Sequence, residues 1–219
     1  MEIHFPGNIR IKRIRARLEG LRLSPFTNID GETFARPQMN GFWRVEMDLM
    51  CAEEDEYLAL SSFLTAMRGG NTTVLPMTTH WLPNGSNGRR LNGFQEAPEF
   101  TAEHAGFASD PFPGFTLRAP CARRNSFIDV NTPELSRLRS GHDITIGERL
   151  YKVVNAVQLD ESATAQRLSL MPNVRDDRAA GALVIVDQLR LRAQMESAGD
   201  LEAWNIPSGE VTAIFIEAF

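Results

Sequence analysis

Four consecutive residues, Ser140-Gly141-His142-Asp143, bring together the side-chain types of a hydrolytic triad. A serine nucleophile needs a histidine to accept its proton and an acid to orient that histidine, and such triads are assembled from separate chain segments. Neighbours this close cannot chain nucleophile to base to acid, so the run reads as a tight turn leading into a strand. The other histidines, His4, His80 and His104, have no second ligand type at metal-site spacing. His-x-x-x-His, Gly-x-Ser-x-Gly, a phosphate loop and a dinucleotide fingerprint are all absent from the sequence. The acids of Arg175-Asp176-Asp177-Arg178 have the chemistry to hold a divalent cation, yet the flanking arginines favour self-paired charge. Cys51 and Cys121 stand too far apart in sequence to form a metal knuckle and read as free thiols. Asn71-Thr72-Thr73 fits a glycosylation acceptor, which carries no weight without a secretory signal. The chain is therefore expected to be no enzyme and to carry no cofactor and no metal.

With 219 residues, 42% hydrophobic and 23% charged, the chain has the composition of one large globular domain or two small ones, and disorder is excluded. No window reaches the roughly 18 apolar residues of a membrane span, and Met1 to Pro6 lack the order of a signal peptide, so no membrane partner is expected. The net charge of −5 is unevenly placed: residues 1–22 hold six cations against two acids, which leaves +4 there and −9 on the remainder. A basic start on an acidic body permits head-to-tail pairing between copies. Arg10, Lys12, Arg13, Arg15 and Arg17 are accordingly expected at a subunit interface. Nucleic-acid binding is the weaker reading, because these cations alternate with Ile9, Ile11, Ala16, Leu18 and Leu21 as on a strand, with no aromatic platform for bases. Twenty-one of the 23 cations are arginine, the one better suited to interfaces.

The elements that must position these groups are mostly strands. Residues 8–23 alternate, with a slip near Arg13-Ile14 of the kind a bulge makes. Trp43, Val45, Met47 and Leu49 oppose Arg44, Glu46 and Asp48 at a period of two. A helix over about 53–68 follows, its first turn acidic (Glu53 to Glu56) and Tyr57, Leu60, Leu64 and Met67 at helical spacing before Gly69-Gly70. Residues 72–77, 143–154, 167–172, 183–186, 189–195 and 211–219 read as further strands. The fold class is mainly β, a sandwich or barrel with one α-helix, a loop-rich insertion and a second small β-rich part. The expected core is 1–79 plus 140–219. The Gly/Pro/Phe-rich stretch 80–139 is expected to form an insertion or arm with short strands such as 115–117. Its phenylalanines, Phe107, Phe112 and Phe115 among them, either pack beneath the insertion or meet a partner.

The order of these pieces resembles a family. A Trp-bearing strand, an acidic-starting helix, the junction Met67-Arg68-Gly69-Gly70-Asn71-Thr72-Thr73-Val74-Leu75-Pro76, a Gly/Pro-rich middle, the run Ser140 to Val153 and Leu168-Ser169-Leu170-Met171-Pro172 are similar to tail proteins of long-tailed, non-contractile bacteriophages, most of all distal tail proteins. The resemblance covers roughly 40–175. Met67 stands for the usual leucine, and Gly141-His142-Asp143 inserts one residue into the Gly-Asp hairpin motif. The resemblance implies a structural virion protein, a homo-oligomeric ring, usually a hexamer, that links tail tube to tail-tip hub. Its implied neighbours are the tube, hub and tape-measure proteins, with assembly in the host cytoplasm and DNA only as passing cargo. The alternative is a carbohydrate- or receptor-binding β module using Trp81, Trp204 or Tyr151, with a hydrolase built on His142 and Asp143 ranked last.

Overall fold

The computed structural model describes residues 1–21, 26–27, 29–34, 40–79, 81–85, 114–133, 136–160, 164–201 and 209–219. In chain order the elements of the first part are β1 (Arg10–Glu19), the short pair β2 (Phe26–Thr27) and β3 (Thr33–Phe34), β4 (Phe42–Cys51), α1 (Glu54–Arg68) and β5 (Thr72–Thr78). Then come β6 (Asn84–Gly85), β7 (Thr116–Leu117), β8 (Phe127–Asn131), β9 (Ser136–Arg137), β10 (Asp143–Ile146), β11 (Arg149–Gln158), β12 (Ala165–Met171) and β13 (Val184–Ile185). Two long strands, β14 (Gln188–Ala198) and β15 (Gly209–Glu217), complete the series. The fold is mainly β with one described helix, as the alternating patterns predict.

The first sheet has the order β1-β4-β15-β14-β5 and is antiparallel throughout. Strand residues a period of two apart share a face, and the buried face is built from Trp43 to Cys51 on β4, Leu189 to Ala193 on β14 and Val211 to Phe215 on β15. The β1 register shifts between Ile11 and Arg13, where the alternation slips in the sequence. This bulge at Lys12 lets Ile14 and Leu18 join Ile11 against the core while Arg13, Arg15 and Arg17 stay exposed. Helix α1 lies on the buried face, with Leu60, Phe63, Leu64 and Met67 recurring at three- and four-residue steps. Its start is fixed by Glu56, whose carboxylate accepts the Ala52 N–H at 2.6 Å. At its end Gly70 takes φ +77°, and Asn71 donates its amide to the Ala66 carbonyl at 2.8 Å.

The second sheet runs β13-β10-β11-β12-β8-β7. Its ends nearly meet: Leu117 N–H donates to Ala182 O at 2.8 Å and Val184 N–H to Phe115 O at 2.9 Å, so the sheet curls into an almost closed barrel. Phe115, Ile128, Ile144, Val153 and Leu168 fill its interior. Gly147, at φ +64°, opens the β10–β11 turn, the first-position positive φ of a type II′ hairpin. A Cβ there would lie 2.4 Å from the Arg178 guanidinium.

Two expectations are corrected here. Residues 80–139 do not stand wholly apart from 140–219: β8 pairs with β12 and β7 with β8, so residues 114–131 complete the same barrel as 143–171. The first sheet is instead built from β1, β4, β5, β14 and β15. The sequence carries little sign of β8, because only Ile128 and Val130 mark its inner face, too short a run for a periodic signal. Phe115, expected at a subunit interface, is fully buried in the barrel interior.

The two sheets meet through backbone and buried polar groups. The Trp43 indole donates to Leu150 O at 2.7 Å, Arg190 N–H to the Thr145 hydroxyl at 2.9 Å, and Arg192 N–H to Glu148 O at 2.8 Å. Arg175, on the loop after β12, forks onto the fully buried Glu217 of β15 at 3.1 and 3.3 Å.

Candidate interaction surface

The predicted interface cations line the exposed face of β1, where they reach acids of the same sheet and of helix α1. Lys12 reaches Glu210 at 2.8 Å, Arg13 reaches Asp48 at 2.9 Å, Arg15 reaches Glu46 at 2.8 Å and Arg10 reaches Glu56 at 3.4 Å. Arg17 is paired with no described residue. The basic start of the chain is thus largely neutralised by its own neighbours, which the linear charge count hides. Phe107 and Phe112 lie outside the described residues.

Asp48 is the best-held of these acids. The Thr212 hydroxyl donates to it at 2.8 Å and Arg13 stands on its other oxygen, so its carboxyl titrates below the usual range, chiefly through the Thr212 bond and then the Arg13 charge. A carboxyl depressed in the folded state stabilises above its unfolded value and loses that contribution as pH falls through the folded one. Asp48→Asn is therefore expected to lower stability at neutral pH, and the gap to the parent protein should close on acidification below about pH 4. Denaturant titrations at neutral and acid pH check this.

One flank of β1 pairs with β4, and no described strand pairs with the other. Beside that free edge runs a cleft of about 440 Å³, walled by Ile11 to Ile14 and floored by Met77, Leu150 and Leu189, with Asp143 at its rim. A ten-residue edge that pairs with no described strand, with a cleft alongside, is a template for another strand.

The hydrolase residues are otherwise engaged. His142 is buried and accepts the Arg139 N–H on Nδ1 at 3.1 Å, and burial holds its pKa below the ordinary value. Asp143 pairs with Lys152 at 2.7 Å. Asp176 meets Arg149 at 3.3 Å and Arg178 at 3.4 Å, and Asp177 accepts the Arg123 N–H at 2.6 Å. Among the described residues no group of three His, Cys, Asp or Glu side chains is placed to hold a metal. Tyr151 is buried, its oxygen accepts the Arg175 N–H at 3.0 Å, and burial pushes its pKa up to about 12. It offers no face to a sugar. Trp81 is 78% exposed, and Trp204 lies outside the described residues.

No protein-family model matches the chain, and no curated protein matches it.

A second surface was not legible in the sequence. Asn40, Arg123, Arg124, Arg149, Asn173 and Arg175 are among the residues around a cleft of about 360 Å³, to which Asp176 and Phe219 also contribute. Arg149 is buried, Arg175 is half-buried, and both are anchored: Arg149 donates to Asp176 and to the Ala218 carbonyl, Arg175 to Glu217 and to the Gly41 carbonyl. The Arg175 guanidinium also lies 4.8 Å from the centre of the Phe219 ring. These residues come from separate stretches of the chain, at Asn40, the Arg123-Arg124 turn, the start of β11 and the loop after β12, and the sequence does not announce that they meet.

Proposed function

We propose that the protein is a structural component of a bacteriophage tail, a homo-oligomeric ring at the distal end of a non-contractile tail that links the tail tube to the tip hub. The free edge of β1 and the cleft beside it carry this reading, because ten strand residues that pair on that side with no described strand can take a neighbouring strand. The order of strand, helix, Leu-Pro strand and Gly-Asp hairpin along the chain supports it. In this role the tube, hub and tape-measure proteins are the neighbours, and the site of action is the virion.

Light scattering on the purified protein, at low and high salt, tests the reading. A closed ring is the expected mass. A strict monomer at every concentration and salt, together with absence of the protein from virions, would count against it. In the assembled ring or tail the β1 amides should exchange more slowly with solvent than in the free subunit, as edge amides do once paired.

A second reading, a receptor-binding β module, rests on the exposure of Trp81, since an exposed aromatic face can stack on a sugar ring. Binding on a glycan array that Trp81→Ala removes would favour it; a blank array would count against it.

A further inference from the structure

We propose that copies of this chain join head to tail, the arginine cleft of one copy receiving the acidic start of α1, Glu53-Glu54-Asp55, of the next. The proposal rests on the ring reading and assigns its copy-to-copy contact.

The cleft is built around an unfavourable turn. Asn125 N–H closes the turn on Ala122 O at 3.1 Å, which places Arg123 and Arg124 at its two central positions. Arg124 takes φ 73°, the one positive φ outside glycine among the described residues, where such a turn ordinarily calls for glycine. Its N–H is held by Val174 O at 2.7 Å. Strain of this kind persists where the surroundings impose it, and it gathers at ligand clamps. The side chain so placed is exposed, as is that of Arg123, and neither is ion-paired with a described residue. Below them Arg149 and Arg175 add two anchored guanidiniums. Asp176 and Glu217 offset two of the four positive charges, so two remain to be met from outside. Planar guanidinium forks match carboxylates in bidentate fashion.

The same chain carries the complement. Glu53, Glu54 and Asp55 are exposed and are paired with no described residue, whereas Glu56 beside them turns inward to Ala52 and Arg10. One turn on, Leu58 is 56% exposed, and the cleft presents the exposed Phe219 ring on its side. Acid with leucine thus faces arginine with phenylalanine.

The two surfaces sit at opposite ends of β4. Gly41, just before the strand, accepts a bond from Arg175, and Ala52, just after it, leads into α1. Ten strand residues put them about 30 Å apart. Complementary patches at opposite ends make a heterologous contact, the kind that closes rings.

The test uses the full chain and three variants, each checked for an unchanged unfolding transition. Sedimentation velocity of Arg123→Glu/Arg124→Glu should show self-association weakened about a hundredfold or more, since like charges then face each other. Glu53→Arg/Glu54→Arg/Asp55→Asn should fail in the same way. Mixing the two should restore assembly, because each reversed cleft then meets a reversed helix start. Arg124→Gly removes the guanidinium while relieving the turn, so it should associate less with an unfolding midpoint unchanged or raised. Full association by both charge-reversed variants would overturn the cleft contact and leave the ring reading standing. A parent protein that is monomeric throughout would overturn the pairing of copies, and the ring reading with it where the protein is also absent from virions. Binding of inorganic phosphate by such a monomer, lost in Arg123→Glu/Arg124→Glu, would make the cleft a small-anion site and likewise overturn the pairing of copies.

Discussion

Replacement of Trp43 by alanine should cost about 3–5 kcal/mol of folding stability, the range for deletion of a buried large aromatic. Trp43 is 2% exposed on the inner face of β4, and its indole N–H is bonded to Leu150 O at 2.7 Å. It therefore holds the first sheet to the β10–β11 hairpin of the barrel as well as filling space. Trp43→Phe keeps most of the volume but leaves the Leu150 carbonyl without its donor, and is expected to cost about 1–3 kcal/mol. With a domain stability of about 5–15 kcal/mol, the alanine variant spends a large share of the total. Urea unfolding of both variants checks the ranking. Equal, sub-kilocalorie effects of the two would mean that the joint between the sheets carries little of the stability.

A second large effect is expected at Arg175 and Glu217. Glu217 has no solvent exposure on its side chain and Arg175 has 11%, and the two are joined by two bonds. The Glu217 carboxylate also accepts the Trp43 backbone N–H at 3.2 Å, so it serves three donors at once. Removing one partner of a buried pair strands the other charge, at about 3–5 kcal/mol. Glu217→Gln and Arg175→Met should each fall in that range. The double variant Arg175→Met/Glu217→Leu should recover much of the loss, because both charges leave together, although Trp43 N–H and Gly41 O remain without partners. A double-mutant cycle by chemical denaturation measures this coupling. A coupling near zero would show the pair to be worth no more than a surface bridge.

The parts legible in the sequence are those whose signal is local. Alternation located β4 and β15, acid-then-apolar spacing located α1, and the slip in residues 8–23 marked the bulge beside Lys12. Gly147 marked the β10–β11 turn because a positive φ has to be carried by some residue, and glycine carries it without strain. Pairing between strands was not legible. Nothing in Phe127–Asn131 announces Ala165–Met171 as its partner. The charge count failed for the same reason: Lys12 and Glu210 lie 198 residues apart in sequence yet neutralise each other. The arginine cleft was invisible because its four guanidiniums converge from three separate segments, the Arg123-Arg124 turn, the start of β11 and the loop after β12.

The place of β15 in the first sheet sets an order of events during synthesis. β15 lies between β4 and β14, and its Gly209 sits against Cys51, 158 residues earlier. Contacts of such separation form late, whereas every strand of the barrel lies between Thr116 and Ile185 and precedes β15 in the chain. Until β15 is in place, β4 and β14 lack the strand that lies between them. Glu217 arrives on that same strand, so Arg175 and the floor of the cleft wait for it too. Competence to recruit a neighbour is thereby withheld from partial chains and conferred only once the central strand is in place.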